Sequence, residues 1–178
     1  MTEGPQAHSP VVVWVTAGTW QASVDAASSL VPPDASIMLL HVTPTDLADA
    51  AHGAYLGLFG RGQPHDDPGP RVAEIAAASA AELLDAAARR FGRPCQRAER
   101  QGRPEQEVVT AAEGAGLLIV ARDGDRSRLG PKSLGKATRF VVDHAPCPVL
   151  LVWPGSPPDT TTIPPPPPPP HHRHKPGH

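Results

Sequence analysis

The chain has 178 residues, a net charge of −2 and an excess of proline, with 24 residues of that type. This length suits one domain with a substantial core, and the near-neutral charge gives no sign of a nucleic-acid-binding protein. No apolar run is long enough to cross a membrane, so no membrane partner is expected. The two cysteines form no close motif, which favours a reduced, cytoplasmic protein.

The first half of the chain alternates predicted strands with a predicted helix. Residues 1–9 are expected to be flexible, and they lack the basic and apolar regions of a secretory signal. VVVWV (11–15) and IMLLHV (37–42) are apolar runs typical of strands buried on both faces of a parallel sheet. Between them, residues 22–30 predict a helix that two prolines end. Residues 44–70 predict a long loop, and connections of this length are usually disordered or functional lids.

The second half continues the alternation. VAEIAAASAAELLDAAARRFG (72–92) is the clearest helix, because its apolar residues recur at helical spacing. CQRAER (95–100) predicts a polar strand whose charges suit a sheet edge. Residues 104–116 predict a helix that begins with proline and acidic residues. LLIVA (117–121) and PVLLVW (148–153) predict buried strands, separated by a glycine-bearing loop and a further helix.

This order of elements predicts a single α/β domain over residues 10–153, layered around a mostly parallel sheet. Such sheets bind ligands outside the carboxyl ends of their strands, where the strand order reverses. The loops at 16–20 and 121–135 are the natural pair to flank that point. Residues 154–178 contain seven consecutive prolines followed by HHRHKPGH, and this composition predicts a disordered tail.

The sequence resembles the universal stress protein family. The segments that carry the resemblance are LLHV (39–42), GRPEQEVVTAAEGAGLLIVAR (102–122), LG (134–135) and HAPCPVLLV (144–152). The resemblance covers roughly residues 10–153. It implies a three-layer, nucleotide-binding-like sandwich with a five-stranded parallel sheet in the order 3-2-1-4-5. It also implies a homodimer built through the last strand (148–153).

Some members of this family bind ATP with a loop that reads Gly, two residues, Gly, nine residues, and then Gly with Ser or Thr. The glycines let backbone N–H groups approach the phosphates, and the hydroxyl bonds a phosphate oxygen. In an ungapped match, the four positions hold Arg122, Asp125, Gly135 and Lys136. Thr16 follows the first strand, where the ATP-binding members carry an aspartate. The resemblance therefore implies weak or absent ATP binding in the usual pose, and the carboxylate of Asp125 would repel a triphosphate.

The same loop is strongly basic, which supports a second interpretation. Between residues 122 and 139 lie six cations: Arg122, Arg126, Arg128, Lys132, Lys136 and Arg139. These side chains could bind a phosphate in place of backbone N–H groups, since arginine bonds phosphate in a bidentate manner. The candidate nucleotide or anion site comprises Thr16, Val42, Arg122, Gly124, Arg126, Arg128, Gly130, Ser133, Gly135 and Lys136. A solvated structural loop is the alternative, because Asp123 and Asp125 neutralise part of the charge.

Other reactive side chains are better explained by structure than by chemistry. His41 is expected to be a hydrogen-bonded histidine at a strand end, and Cys147 a buried thiol without an activating base. Trp20 could stack on a nucleobase, but packing beneath the 44–70 loop is the simpler prediction. The 44–70 loop also contains residues of metal-ligating type without metal-specific spacing: His52, His65, Asp66 and Asp67.

Three functions are compatible with these patterns. The first is a non-enzymatic stress-response or regulatory domain that acts through dimerisation and protein partners, with a degenerate nucleotide site. The second is a binder of ATP or another phosphorylated small molecule through the basic loop. The third, hydrolysis of ATP or a phosphate ester, ranks last because no residue is a convincing general base. The sequence does not identify the stress, the pathway or the partner.

Overall fold

The computed structural model describes residues 9–46 and 68–166. Its main elements are β1 (Val11–Trp14), α1 (Trp20–Leu30), β2 (Ile37–Pro44), α2 (Pro68–Phe91), β3 (Gln96–Gly102), α3 (Pro104–Ala111), β4 (Leu117–Ala121), α4 (Lys136–His144) and β5 (Val149–Val152). A short 3-10 turn, Pro131–Ser133, precedes α4, and a second one, Thr160–Thr162, follows β5. Every strand and helix predicted from the sequence is present, with its ends moved by a few residues. Among the described helices, none combines the length and the apolar composition needed to span a membrane.

The five strands form one parallel sheet in the order β3-β2-β1-β4-β5, which confirms the predicted order. The central strand β1 is buried along its whole length, and its Val13 lies opposite Leu39 of β2 and Ile119 of β4. The polar strand β3 lies at an edge, as its charges predicted. Apolar strands therefore occupy the centre of the sheet, where both faces are covered by helices.

Helices cover both faces of the sheet because successive residues of a strand point to opposite sides. On one face, Val13 belongs to a core cluster with residues of α1 and α2, including Leu84. On the other face, Val12 belongs to a cluster with α3 and α4, including Val108 and Val141. All five of these side chains are buried, which gives the predicted three-layer α/β architecture.

An ion pair joins α1 and α2 at the surface. Arg90 Nε and Nη2 donate to the two carboxylate oxygens of Asp25 at 2.6 and 2.7 Å. These hydrogen bonds hold the pKa of the Asp25 carboxyl below its ordinary value. Both side chains remain about half exposed, so the pair fixes the relative orientation of the helices more than it stabilises the fold.

The strand order reverses between β1 and β4. From β1 the chain proceeds to β2 and β3 on one side, and it later returns to β4 and β5 on the other side. The carboxyl ends of β1 and β4 therefore border the crevice where sheets of this kind bind ligands. The segment after β1 (15–19) and the loop after β4 (122–135) reach this crevice from the two strands, as the sequence predicted.

Candidate functional site

The loop between β4 and α4, residues 122–135, folds back on itself; we call it the basic loop. The N–H groups of Gly124 and Asp125 donate to the carbonyl oxygens of Ser133 and Lys132 at 2.9 and 2.8 Å. A Cβ on Gly124 would lie 2.8 and 2.9 Å from the backbone carbons of Ser133 and Leu134, and nearer still to the Lys132 oxygen. Gly124 is therefore needed because two stretches of backbone meet here.

Arg122 is held inside this folded loop. Its guanidinium donates to Ser133 Oγ and lies over the Trp153 ring, 4.6 Å from the ring centroid. The Arg122 Nε atom is buried without a hydrogen-bond partner among the described residues, and partial burial lowers the pKa of the guanidinium. The cation–π contact and the bond to Ser133 make Arg122 a structural residue of the loop.

Ser133 uses its polar groups within the loop as well. The side chain is fully buried; its Oγ donates to the Gly130 carbonyl at 2.7 Å and accepts the bond from Arg122. The Ser133 N–H also donates to Gly130, whose φ of 121° suits a glycine. The hydroxyl that the sequence suggested as an anion cap is thus already engaged with its own chain.

The N-terminus of α4 is bonded to a carboxylate of the same chain. The Gly135 N–H donates to Asp123 Oδ1 at 2.7 Å. A Cβ on Gly135 would meet both oxygens of that carboxylate, at 2.7 and 2.9 Å. Helix N-termini attract negative groups through their free N–H groups and the helix dipole. Asp123 therefore bonds an N–H group of the kind that binds anions at helix N-termini.

Asp125, which the sequence placed against the phosphate, has a different role. Its Oδ1 accepts hydrogen bonds from the Ser127 hydroxyl at 2.6 Å and from the Ser127 N–H at 2.9 Å. Both bonds lower the pKa of the Asp125 carboxyl, and the bond from the hydroxyl has the larger effect. The Arg128 Nε atom lies 3.5 Å from Asp125 Oδ2. Asp125 closes its own turn, and the carboxylate at the helix N-terminus is Asp123.

A polar cavity of about 260 Å³ opens beside the basic loop. Its lining includes Gly18, Thr19, Asp25, Arg126 and the pair 154–155. Arg126 is exposed, and it has no ion-pair partner within residues 9–46 and 68–166. This side chain is thus the loop cation best placed to meet a ligand in the crevice.

The other predicted site residues divide between the loop and the core. Thr16 lies in the turn before α1, and its carbonyl accepts the N–H groups of Thr19 and Trp20 at 3.2 and 3.0 Å. Lys136 is the exposed first residue of α4. Val42, in contrast, is a buried core residue on the α3 and α4 side of the sheet. Its side chain therefore packs in the core and does not line the crevice, and the assignment of Val42 to the site stays a prediction.

His41 is hydrogen-bonded at a strand end, as the sequence predicted, whereas Cys147 is less buried than expected. The His41 Nδ1 atom lies 2.8 Å from the Val15 carbonyl, which can only accept, so this nitrogen carries a proton. Cys147 is half-buried, and burial raises the pKa of its thiol. Within the described ranges, no group of three or more His, Cys, Asp or Glu residues is arranged to hold a metal ion. The histidines and aspartates of the 44–70 loop, His52, His65, Asp66 and Asp67, lie outside those ranges.

The chain after β5 differs from the disordered tail that was predicted from residue 154. Residues 154–166 are described, and they include the turn Thr160–Thr162, in which the Asp159 side chain accepts the Thr161 N–H. The N–H of Leu129 in the basic loop donates to Thr162 Oγ1 at 3.0 Å. Asp followed by Thr is a local turn signal that the surrounding prolines concealed. Residues 167–178 lie outside the described ranges, and their predicted disorder stays a prediction.

Comparisons with known proteins agree with this fold. The model of the universal stress protein family matches residues 19–152. A universal stress protein in complex with cAMP has 19% identity and a TM-score of 0.57, with 84% of this chain and 100% of that chain covered. A universal stress protein from Lactobacillus plantarum has 21% identity and a TM-score of 0.54, with 82% and 97% covered.

A third similar structure is a universal stress protein family protein from Arabidopsis thaliana with AMP bound. It has 20% identity and a TM-score of 0.51, with 88% of this chain and 95% of that chain covered. No curated protein matches the chain. The family match extends over most of the chain, and the strand order, the three layers and the crevice between β1 and β4 agree with it. This chain belongs to the universal stress protein family.

Proposed function

We propose that this protein is a non-enzymatic regulatory domain of the stress-response type whose nucleotide site is filled by its own chain. The observation that carries the proposal is the hydrogen bond from the Gly135 N–H to Asp123 Oδ1. A triphosphate in the usual pose would have to displace this carboxylate, and it would meet the negative charge of Asp123 while doing so. Ser133 and Gly124 are already bonded within the loop, so they offer the phosphates no further donor.

The proposal includes a homodimer built through β5. This strand is at an edge of the sheet, and Val149, Leu150, Leu151 and Val152 are each only half-buried in the single chain. An exposed apolar edge strand favours pairing with a second chain. A dimer would cover these side chains, and partner proteins would then bind other surfaces. The cytoplasmic location expected from the unpaired cysteines remains part of the proposal.

Calorimetric titration of the full chain with ATP and Mg²⁺ tests the filled site. We expect a dissociation constant weaker than about 1 mM, which corresponds to less than about 4 kcal/mol of binding free energy. Released phosphate, measured in the same samples, is expected to stay at the level of the buffer. Binding tighter than about 100 μM would contradict the filled site, and steady phosphate release would contradict the non-enzymatic role.

The alternative function is binding of a smaller phosphorylated ligand by the basic loop. The observation that favours it is Arg126, an exposed cation that lines the polar cavity without an ion-pair partner in the described part of the chain. Two structures with the same fold contain cAMP and AMP, and each of these nucleotides carries one phosphate. A single phosphate meets less repulsion from Asp123 than a triphosphate does.

Replacing Arg126 and Arg128 together with alanine tests this alternative against AMP and cAMP. If the loop cations hold the phosphate, the double variant loses at least about tenfold in affinity, since charge-assisted bonds to phosphate are strong. The affinity of the unmodified protein should then fall as salt is added, because exposed charges are screened. An Arg89→Ala variant, which removes an exposed cation at the end of α2, is the control for general charge. Equal binding by all three proteins would exclude the loop as the ligand site.

A further inference from the structure

The segment from Asp159 to Pro164 folds back onto the basic loop. Asp159 Oδ1 accepts the Thr161 N–H at 2.8 Å, and the Asp159 carbonyl accepts the Thr162 N–H at 3.0 Å. The turn is therefore defined by its own hydrogen bonds and does not depend on the prolines that follow. The Thr162 hydroxyl also donates to the Asp159 carbonyl at 2.6 Å. Because the hydroxyl proton is used in this bond, the lone pairs of Thr162 Oγ1 are free to accept a hydrogen bond from outside the turn.

Two consecutive residues of the basic loop, Leu129 and Gly130, lie next to this segment. The Leu129 N–H donates to Thr162 Oγ1 at 3.0 Å, in a partly buried position. The ring of Pro164 lies beside Gly130, since a Cβ built on that glycine would be 3.9 Å from Pro164 Cδ. The observed contact is thus one directed hydrogen bond, and the Pro164 ring lies next to it.

The contacted residues adjoin the bonds that keep the loop folded. The Gly130 carbonyl accepts both the N–H and the hydroxyl of Ser133, and that hydroxyl in turn accepts from Arg122. The Ser133 carbonyl accepts the Gly124 N–H on the opposite side of the loop. One continuous set of hydrogen bonds therefore connects Leu129 and its neighbour Gly130 to Arg122 and Gly124. Restricting the motion of Leu129 also restricts the motion of these residues.

We propose that the segment 159–164 is an intramolecular strap that holds the basic loop in its closed conformation. This inference rests on the proposed function, because the closed loop is the one in which Asp123 fills the anion position. Opening and strap release are then linked: a ligand that needs an open loop must also free Thr162. By the same linkage, anything that draws the chain after Pro164 away from the domain favours the open loop.

The test is amide hydrogen exchange in the full chain carrying Thr162→Val. Valine keeps the β-branched shape and removes the oxygen that accepts the Leu129 N–H. It also removes the hydroxyl bond to the Asp159 carbonyl, whereas the Thr161 and Thr162 N–H bonds that define the turn remain. We expect the amides of Leu129, Gly124 and Asp125 to exchange roughly three- to tenfold faster, the range set by loss of one hydrogen bond. Thr162→Ser, which restores the hydroxyl, should exchange at the rates of the unmodified protein.

Thr161→Val is the matched control, because it makes the same change one residue earlier, at an exposed side chain. It should leave all three amides protected. Faster exchange confined to Leu129 would overturn the strap, since the contact would then be local. Equal effects of Thr161→Val and Thr162→Val would overturn it too. The exchange is measured without nucleotide, so this result is independent of whether calorimetry supports the filled site.

Discussion

Asp123→Asn is expected to raise the affinity for ATP and Mg²⁺ by at least about tenfold. The Asp123 carboxylate repels the phosphates, and this gain corresponds to the part of the repulsion that remains after screening by solvent and salt. In the present structure the Asp123 carboxylate accepts the Gly135 N–H at the start of α4. A phosphate that bonds to the same N–H group has to displace a negatively charged group and then lie beside it. Removing that charge while keeping the side-chain shape isolates the electrostatic part of the obstruction.

The size of the expected gain follows from the distances involved. Two unit charges 4 Å apart repel by about 4 kcal/mol at an effective dielectric constant of 20. Asp123 is exposed, so water and salt reduce this value considerably. The neutral amide also makes a weaker bond to the helix N-terminus than the carboxylate does, which makes it easier to displace. Both effects act in the direction of tighter ATP binding.

Asp125→Asn is the matched control for this experiment. It changes the net charge by the same amount, two residues further along the same loop. Asparagine retains the oxygen that accepts from Ser127, so the local turn is preserved. Calorimetry should therefore show a gain for Asp123→Asn that clearly exceeds the gain for Asp125→Asn. Equal gains would mean that only the overall charge of the loop matters, and no gain in either variant would mean that Asp123 is not the obstruction.

The fold was predictable because it depends on patterns that are local in the sequence. Uninterrupted apolar runs such as 11–15 and 117–121 identify strands that need cover on both faces. The charged run 95–100 identifies an edge strand in the same way. The structure places these segments at the centre and at the edge of one parallel sheet. Predicting the fold therefore required only the spacing of apolar residues in each segment and the polarity of that segment.

The site was less predictable because its interactions connect residues that the sequence pattern treats as independent. The motif comparison assigned the obstructing carboxylate to Asp125. The backbone pairing of 124–125 with 132–133 decides which carboxylate reaches the helix, and no local pattern reports that pairing. The contact between Leu129 and Thr162 spans 33 positions and was hidden for the same reason. Composition described the tail correctly as proline-rich, but composition carries no information about a single directed hydrogen bond.

The close approach of backbone at Gly124 gives the second large expected effect. Gly124→Ala should destabilise the protein by about 1–3 kcal/mol, the usual cost of inserting a methyl group into a packed position. The added Cβ would lie less than 3 Å from backbone atoms of Lys132, Ser133 and Leu134. Backbone cannot rotate away as a flexible side chain can. The loop must therefore open, and the bonds from 124–125 to 132–133 must lengthen or break.

Denaturant unfolding gives the stability change, and amide exchange at Asp125 reports whether the loop has opened. Gly18→Ala is the control, since a Cβ there meets no atom within 4 Å and its cost arises from a φ of +83° alone. That variant should lose some stability without faster exchange at Asp125. If Gly124→Ala instead kept both its stability and the protection of Asp125, the backbone approach would not be what closes the loop. If the loop opens and ATP binding improves together, closure and the filled anion position are two parts of one obstruction.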